Sequence, residues 1–231
     1  MGKEEIIGVL GGMGPDATVD LFQKIIDKTA VEKDQDHHRI LIYNNPKIPD
    51  RTEAILNGGE SPLQELIKTA EVLEKAGASF LVIPCNTAHY YFEELQQEVE
   101  IEILNMLEEV AKKIKRDLNI KKVGVMGTRG VLESEIYDKE LKKLNFEVVK
   151  PAEEQKDKIM DLIYSVKAGQ KTLEMQQELS AVAESMVKKG AEAVILGCTE
   201  LPLIFDMDSF AYPVFSSQEV LAESALRRIN K

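Results

Sequence analysis

The chain has 231 residues, of which 44% are hydrophobic, and this is enough for the packed core of one large domain or two smaller ones. Its 40 Asp and Glu residues outnumber its 29 Lys and Arg residues, and a surface with a formal net charge of −11 repels the phosphates of nucleic acid. No apolar run approaches the ~20 residues needed to cross a bilayer, so we expect neither a nucleic-acid nor a membrane partner. The two cysteines and the absence of an export signal predict a cytoplasmic protein with free thiols.

Short β-branched runs alternate with longer helical patterns, which is typical of an α/β protein with parallel strands. The predicted elements of the first half are, in order, a strand Ile6–Leu10, a glycine loop 11–14, a helix starting at Pro15, a strand Ile40–Tyr43, a loop 44–52, a helix over about 62–75 and a strand Phe80–Ile83. The polar segment 84–89 follows the last of these strands.

The second half repeats this plan. Residues 122–130 resemble 6–14, residues 190–199 resemble 77–86, and residues 103–105 with the helix after them resemble 214–216 and the closing helix. Cys85 and Cys198 lie 113 positions apart, as do Gly77 and Gly190. The repeat predicts two pseudo-symmetric three-layer α/β lobes with mostly parallel sheets and a cleft between them. We assign residues 1–103 plus 213–231 to the first lobe and residues 104–212 to the second.

The two cysteines occupy matching places, each after an apolar strand and before a predicted helix. Ligands of open α/β sheets bind beyond such strand ends, and the N-terminus of a helix lowers the pKa of a thiol from about 8.5 toward neutrality. We therefore expect Cys85 and Cys198 to act as acid and base. Packing in a core is the ordinary role of a free cysteine, and a disulfide is a further alternative that a reducing compartment opposes.

Two equivalent thiols facing each other across a cleft suit one reaction in particular. Inversion of a stereocentre at Cα requires removal of a proton from one face and delivery of a proton to the other. Similar groups on opposite sides can do this, and they exchange roles in the reverse direction. A single nucleophilic site would not require a second cysteine at the matching position.

The cysteine segments Pro84–His89 and Gly197–Pro202 resemble the paired motifs of the aspartate/glutamate racemase family, and the match spans nearly the whole chain. The Gly-Gly-Met-Gly-Pro segment at 11–15 resembles the aspartate racemase branch, because glutamate racemases typically have an Asp-Ser pair there. Glu200 fits the same branch, since glutamate racemases usually have histidine at this place. The resemblance implies a homodimer that uses neither pyridoxal phosphate nor a metal.

The polar residues beside the cysteines are candidates for holding an amino-acid substrate. The hydroxyls and N–H groups of Asn86, Thr87 and Thr199 can bind the α-carboxylate, and Glu200 can pair with the ammonium. Simple helix capping is the alternative for the two threonines. His89, four residues after Cys85, either tunes the thiol or has a structural role.

Further candidates come from the loops and from the resemblance. Met13 and Thr128 follow matching strands and are predicted to form the cleft wall. By resemblance, Arg51 and Lys167 occupy substrate-binding positions, and a guanidinium binds a distal carboxylate in a bidentate manner.

We expect racemisation of aspartate, with glutamate or a broader set of amino acids as the nearest alternative. Maleate isomerisation or malonate decarboxylation could use the same cleft with one or both cysteines. A non-catalytic amino-acid-binding protein is a third possibility, although mere binding needs no acid–base pair.

Overall fold

Two parallel four-stranded sheets flanked by helices form the frame of the computed structural model, which describes residues 5–230. The elements of the first half are β1 (Ile6–Gly11), α1 (Pro15–Lys28), β2 (Arg39–Asn44), α2 (Arg51–Asn57), α3 (Leu63–Lys75), β3 (Phe80–Val82), α4 (Phe92–Gln97) and β4 (Glu102–Ile103). Those of the second half are α5 (Met106–Asp117), β5 (Lys122–Gly127), α6 (Arg129–Glu133), α7 (Ile136–Lys143), β6 (Glu147–Val149), α8 (Glu153–Lys167), α9 (Leu173–Lys188), β7 (Ala193–Gly197), β8 (Val214–Ser216) and α10 (Ser217–Ile229).

The two sheets have the same strand order. The first is ordered β2-β1-β3-β4 and the second β6-β5-β7-β8, with every neighbouring pair parallel. Counted within each half, both orders read second, first, third, fourth. The prediction of two related α/β lobes with parallel sheets is confirmed.

The helix that follows the last strand of each sheet packs against the opposite lobe. Helix α5 follows β4 of the first sheet but contributes Leu107, Val110 and Ile114 to a core with β5 of the second sheet. Helix α10 follows β8 of the second sheet but joins a core with β1 and α1 of the first. Burial of apolar side chains in both exchanged cores stabilises the pairing of the lobes.

Capping side chains explain where these two helices begin. Asn105 accepts hydrogen bonds from the N–H groups of Leu107 and Glu108 at the start of α5. Ser216 accepts one from the N–H of Glu219 at the start of α10. These bonds satisfy N–H groups that the first turn of a helix leaves without a partner.

The predicted division into residues 1–103 plus 213–231 and residues 104–212 stays a prediction. Strand β8, placed in the first unit by that division, pairs with β7 in the second sheet. Helix α10 in the same stretch packs on α1.

Candidate active site

Residues that follow the two central strands of each sheet line one cavity between the lobes. Met13 follows β1, Cys85 follows β3, Thr128 follows β5 and Cys198 follows β7. Equivalent strand ends of both lobes therefore face the same space, which is where parallel sheets bind ligands.

The ten residues predicted from the sequence as catalytic or substrate-binding groups all lie around this cavity. They are Met13, Arg51, Cys85, Asn86, Thr87, Thr128, Lys167, Cys198, Thr199 and Glu200. The structure thus brings together residues separated by up to 187 positions, while their roles in catalysis and binding stay predictions. The cavity has a volume of about 10 Å³, close to the space of one water molecule, so an amino acid enters only when the surrounding side chains or lobes move.

Five further residues complete the lining. Asp50 and Thr52 flank Arg51, and Met160, Ile163 and Tyr164 lie on α8. The three α8 residues precede Lys167 by seven, four and three positions, which is the spacing of one helical face. That spacing could have predicted them from the sequence once Lys167 was placed at the site.

The two cysteines are free thiols and both are buried. The side chains of Cys85 and Cys198 are 5% and 6% exposed. Each is followed by a short 3-10 helix, Thr87–Tyr91 in one lobe and Leu201–Leu203 in the other. The symmetry of the chain therefore extends to the local conformation after each thiol.

Cys198 has a carboxylate as its neighbour. Its thiol donates a hydrogen bond to Oε2 of Glu200, with Sγ and Oε2 3.0 Å apart, and the hydroxyl of Thr199 lies 3.3 Å from the same oxygen. Burial and the negative charge of Glu200 raise the pKa of Cys198 well above its usual value, against the opposing effect of Lys167. Cys198 is therefore protonated at neutral pH in this form of the site.

The expectation that a helix N-terminus lowers the pKa of each thiol is wrong for Cys198. The segment after it is a three-residue 3-10 helix, too short to sum many peptide dipoles, and the nearby carboxylate acts in the opposite direction.

Threonine hydroxyls link the two lobes at the cavity wall. The hydroxyls of Thr87 and Thr128 share a hydrogen bond of 2.9 Å. Thr199 donates to the carbonyl of Pro84 at 3.3 Å, which joins the segments that carry the two cysteines. Thr128 also caps α6 by accepting from the N–H of Val131, whereas Thr87 and Thr199 cap no helix.

Arg51 begins α2 and is 7% exposed. Its Nη1 donates to the carbonyls of Ile48 and Pro49 at 3.2 and 2.9 Å. Within residues 5–230, its buried Nε has no hydrogen-bond partner. Leaving a buried donor of a charged group unpaired is costly, so this N–H group favours the binding of a ligand that supplies an acceptor.

Lys167 ends α8, and its Nζ lies 5.6 Å from the centre of the Tyr164 ring. Burial acts to lower the pKa of Lys167, but the negative charge of Glu200 and those that Cys198 and Cys85 carry as thiolates outweigh that effect and raise it. The ammonium therefore stays charged beside both thiols.

His89 lies outside the cavity lining and is held by two backbone groups. Its Nδ1 is 2.9 Å from the carbonyl oxygen of Cys85, and its Nε2 accepts from the N–H of Met106 at 3.2 Å. Since Nε2 accepts, Nδ1 carries the proton and donates to Cys85. Burial lowers the pKa of His89 to about 4, so the ring is neutral. These contacts favour the structural role for this histidine.

A second, outer cavity of about 380 Å³ adjoins the first. Five residues, Met13, Asp50, Arg51, Lys167 and Glu200, line both. The outer wall adds the apolar residues Pro15, Pro46, Ile48 and Val166. The outer cavity thus leads to the thiols past two cations and two carboxylates.

Among residues 5–230, His, Cys, Asp and Glu side chains form no group of three placed to hold a metal ion. Over the same residues, none of the helices has the length and apolar character needed to cross a membrane.

Comparison with protein families gives a match over most of the chain. The model of the family described as "Asp/Glu/Hydantoin racemase" matches residues 10–225. The broad specificity amino-acid racemase RacX of Bacillus subtilis is 31% identical over 228 residues, which cover 96% of each chain.

Solved structures share the two-lobed fold. The aspartate racemase of Picrophilus torridus has a TM-score of 0.88 and 33% identity, covering 98% of this chain and 95% of its own. An aspartate racemase homologue from Pyrococcus horikoshii has a TM-score of 0.79 and 26% identity, covering 99% of this chain and 100% of its own.

Proposed function

Because the chain belongs to the Asp/Glu/hydantoin racemase family, we propose that it racemises an acidic amino acid, preferably aspartate, without a cofactor. The chain is an isomerase of the amino-acid racemase class. One observation carries the proposal: Cys85 and Cys198, from equivalent strand ends of two related lobes, line the same cavity.

In the proposed reaction, one thiolate removes the α-proton and the opposite thiol protonates the resulting carbanion on its other face. The first sulfur ends as a thiol and the second as a thiolate, so charge and protons balance. The hydrogen bond from Cys198 to Glu200 supports Cys198 as the starting acid and Cys85 as the starting base. The opposite enantiomer requires the reversed assignment.

The groups around the thiols supply places for the substrate's charges. Glu200 accepts the α-ammonium, and the α-carboxylate binds the amide and hydroxyls of Asn86, Thr87, Thr128 and Thr199. Fixed donors of this kind, with the Lys167 ammonium beside them, stabilise the negative charge that develops as the α-proton leaves.

Arg51 and Lys167 are proposed to bind the distal carboxylate. The unpaired Nε of Arg51 and the elevated pKa of Lys167 support this assignment. The 33% identity of this chain to the aspartate racemase of Picrophilus torridus supports aspartate as the dicarboxylate.

Incubation with L-aspartate in deuterated water tests the proposal. Optical rotation reports inversion, and loss of the α-proton NMR signal reports proton exchange. We expect both changes without added cofactor. Cys85→Ala and Cys198→Ala are each expected to abolish inversion, because each thiol serves one face.

The two single variants serve as controls for each other. One is expected to retain α-proton exchange of the L-enantiomer only, and the other of the D-enantiomer only. Absence of α-proton exchange for every amino acid in a panel would refute racemisation, and full inversion by either variant would refute the two-thiol mechanism.

A broader substrate range is the second candidate function. The outer cavity of about 380 Å³, with its apolar wall, has room for side chains larger than that of aspartate, and the Bacillus subtilis relative is a broad specificity amino-acid racemase. Comparable kcat/KM values for aspartate and for long neutral amino acids would favour this candidate. A strong preference for aspartate would contradict it.

A homodimer in the cytoplasm stays part of the proposal, on the family resemblance and the cysteine usage. Sedimentation of the purified protein as a monomer at the concentration of the activity assay would contradict the dimer. Fractionation of the native host's cells would test the compartment.

A further inference from the structure

A chain of buried hydrogen bonds runs behind the two cysteines. The hydroxyl of Tyr137, on α7, donates to Oδ1 of Asn86 at 2.7 Å. Nδ2 of Asn86 donates to Oγ of Ser217 at 2.9 Å, and the Ser217 hydroxyl donates to the carbonyl of Leu196 at 2.9 Å. This hydrogen-bond chain therefore starts in the second lobe, passes through the first and returns to the second.

Every member of this hydrogen-bond chain is buried. Tyr137 is 1% exposed, Asn86 is 2% exposed, and Ser217 and Leu196 are 0% exposed. Burial also raises the pKa of Tyr137 far above its usual value, so its hydroxyl remains a donor at any pH of interest. Removing one partner leaves a buried polar atom unsatisfied, at a cost of about 1–3 kcal/mol.

Two members of this hydrogen-bond chain lie beside the reacting groups. Asn86 directly follows Cys85, and Leu196 is the second residue before Cys198. The Tyr137 ring also packs on the backbone between Leu196 and Cys198, where a Cβ on Gly197 would lie 2.9 Å from Cε2 of the ring. A single side chain thus contacts the segments that carry both thiols.

We propose that Tyr137 is a positioning residue that sets the placement of the Cys85 segment relative to the Cys198 segment. Its hydroxyl holds Asn86 while its ring packs against Gly197. The inference rests on the proposed two-thiol racemisation. Abstraction of a proton depends on one thiol, whereas inversion depends on both thiols keeping their positions around the same carbon. A small displacement of a reacting group lowers the reaction rate steeply, by up to about 100-fold for 1 Å.

Tyr137→Phe tests this role because it keeps the ring and removes only the hydroxyl. The measurement is the rate of α-proton exchange of L-aspartate in deuterated water, divided by the rate of inversion. We expect kcat for inversion to fall about tenfold or more, KM for aspartate to change little, and the exchange-to-inversion ratio to rise. A structural defect alone would lower both rates together and leave the ratio unchanged.

Two further variants serve as a control and as an independent test of the hydrogen-bond chain. Tyr91→Phe removes the hydroxyl of another buried tyrosine, in the first-lobe core, and is expected to keep the wild-type ratio. Ser217→Ala breaks the same chain at another link and is expected to raise the ratio. The double variant with Tyr137→Phe should be less severe than the product of the two single effects. Thermal unfolding of each variant reports the folded fraction.

The outcomes separate this inference from the proposed function. If the wild-type protein exchanges no α-proton of any amino acid, both fail. If the wild-type protein racemises but Tyr137→Phe and Ser217→Ala leave kcat or the exchange-to-inversion ratio unchanged, only the positioning role is overturned. Should Tyr137→Phe fail to fold, Ser217→Ala alone decides.

Discussion

The thiol of Cys198 donates a hydrogen bond to the carboxylate of Glu200, with Sγ and Oε2 3.0 Å apart and both side chains buried. Burial and the negative charge keep the pKa of the thiol high. In the proposed reaction, a substrate ammonium bound to Glu200 offsets this charge and so stabilises the thiolate that Cys198 becomes once it has delivered its proton. Glu200 therefore connects substrate binding with the protonation state of Cys198.

Glu200→Gln is expected to change thiol reactivity and catalysis in opposite directions. Loss of the carboxylate charge lowers the pKa of Cys198, and each unit of decrease raises the thiolate fraction about tenfold while the pH stays below the pKa. Alkylation of Cys198 by iodoacetamide at pH 8, followed by mass spectrometry, should become faster, because the thiolate is the nucleophile. Racemisation should slow through loss of the ammonium partner. Slower alkylation of Cys198, with Cys85 as the internal reference, would contradict the assignment.

Arg51→Ala should lower kcat/KM for acidic substrates far more than for neutral ones. The variant removes the guanidinium whose Nε is buried without a partner in the described structure. A hydrogen bond to a charged group contributes about 1.5–3 kcal/mol, so kcat/KM for aspartate should fall about 10-fold to 100-fold. Arg51→Lys keeps the charge but not the planar fork, so its kcat/KM for aspartate should lie between those of the wild-type protein and Arg51→Ala. Equal losses of kcat/KM for alanine and aspartate would contradict the assignment of Arg51 to the distal carboxylate.

His89→Gln should reduce the sensitivity of the fold to acid. The pKa of His89 is lowered from 6.5 to about 4, so between these pH values the unfolded chain binds a proton that the folded chain does not. The free energy of unfolding therefore falls as the pH drops through this range, by about 3 kcal/mol from this group. Denaturant unfolding at pH 7 and pH 4.5 measures the change. An equal loss in the wild-type protein and the variant would contradict the assignment.

Gly130→Ala should push the lobes apart at α6. A Cβ at this position would lie 2.8 Å from Cγ2 of Thr87 and 2.9 Å from Oγ1 of Thr52, both in the opposite lobe. Exchange of glycine for alanine within a helix normally stabilises it by up to about 1 kcal/mol, whereas overpacking costs about 1–3 kcal/mol. We expect a lower melting temperature and a lower kcat/KM. An increase in melting temperature would contradict this expectation, because it would show that the lobe interface accommodates the added methyl group without destabilising the protein.

Several features of the site were predictable because they depend on local pattern and on the repeat. An apolar strand followed by a polar segment marks Cys85 and Cys198, and the constant offset of 113 residues places them equivalently. The glycine loop and the matching segment at 122–130 likewise predicted Met13 and Thr128 as wall residues.

Other features depended on contacts that no local pattern marks. Tyr137 is one of six tyrosines in the chain, and only the packing of α7 brings its hydroxyl to Asn86, 51 positions away. The raised pKa of Cys198 follows from the rotamer that brings the Glu200 carboxylate to the sulfur and from the short 3-10 helix in place of a longer one.

The sequence by itself determined the fold class, the duplication and the placement of Met13, Cys85, Thr128 and Cys198 after matching strands, because strand periodicity, glycine loops and repeat spacing are properties of the chain as written. Only the tertiary structure decided which polar groups pair, how closed the cavity is and that burial and Glu200 raise the pKa of Cys198. These outcomes depend on distances of a few ångströms between residues far apart in sequence, and on burial, which strengthens every charge interaction that remains.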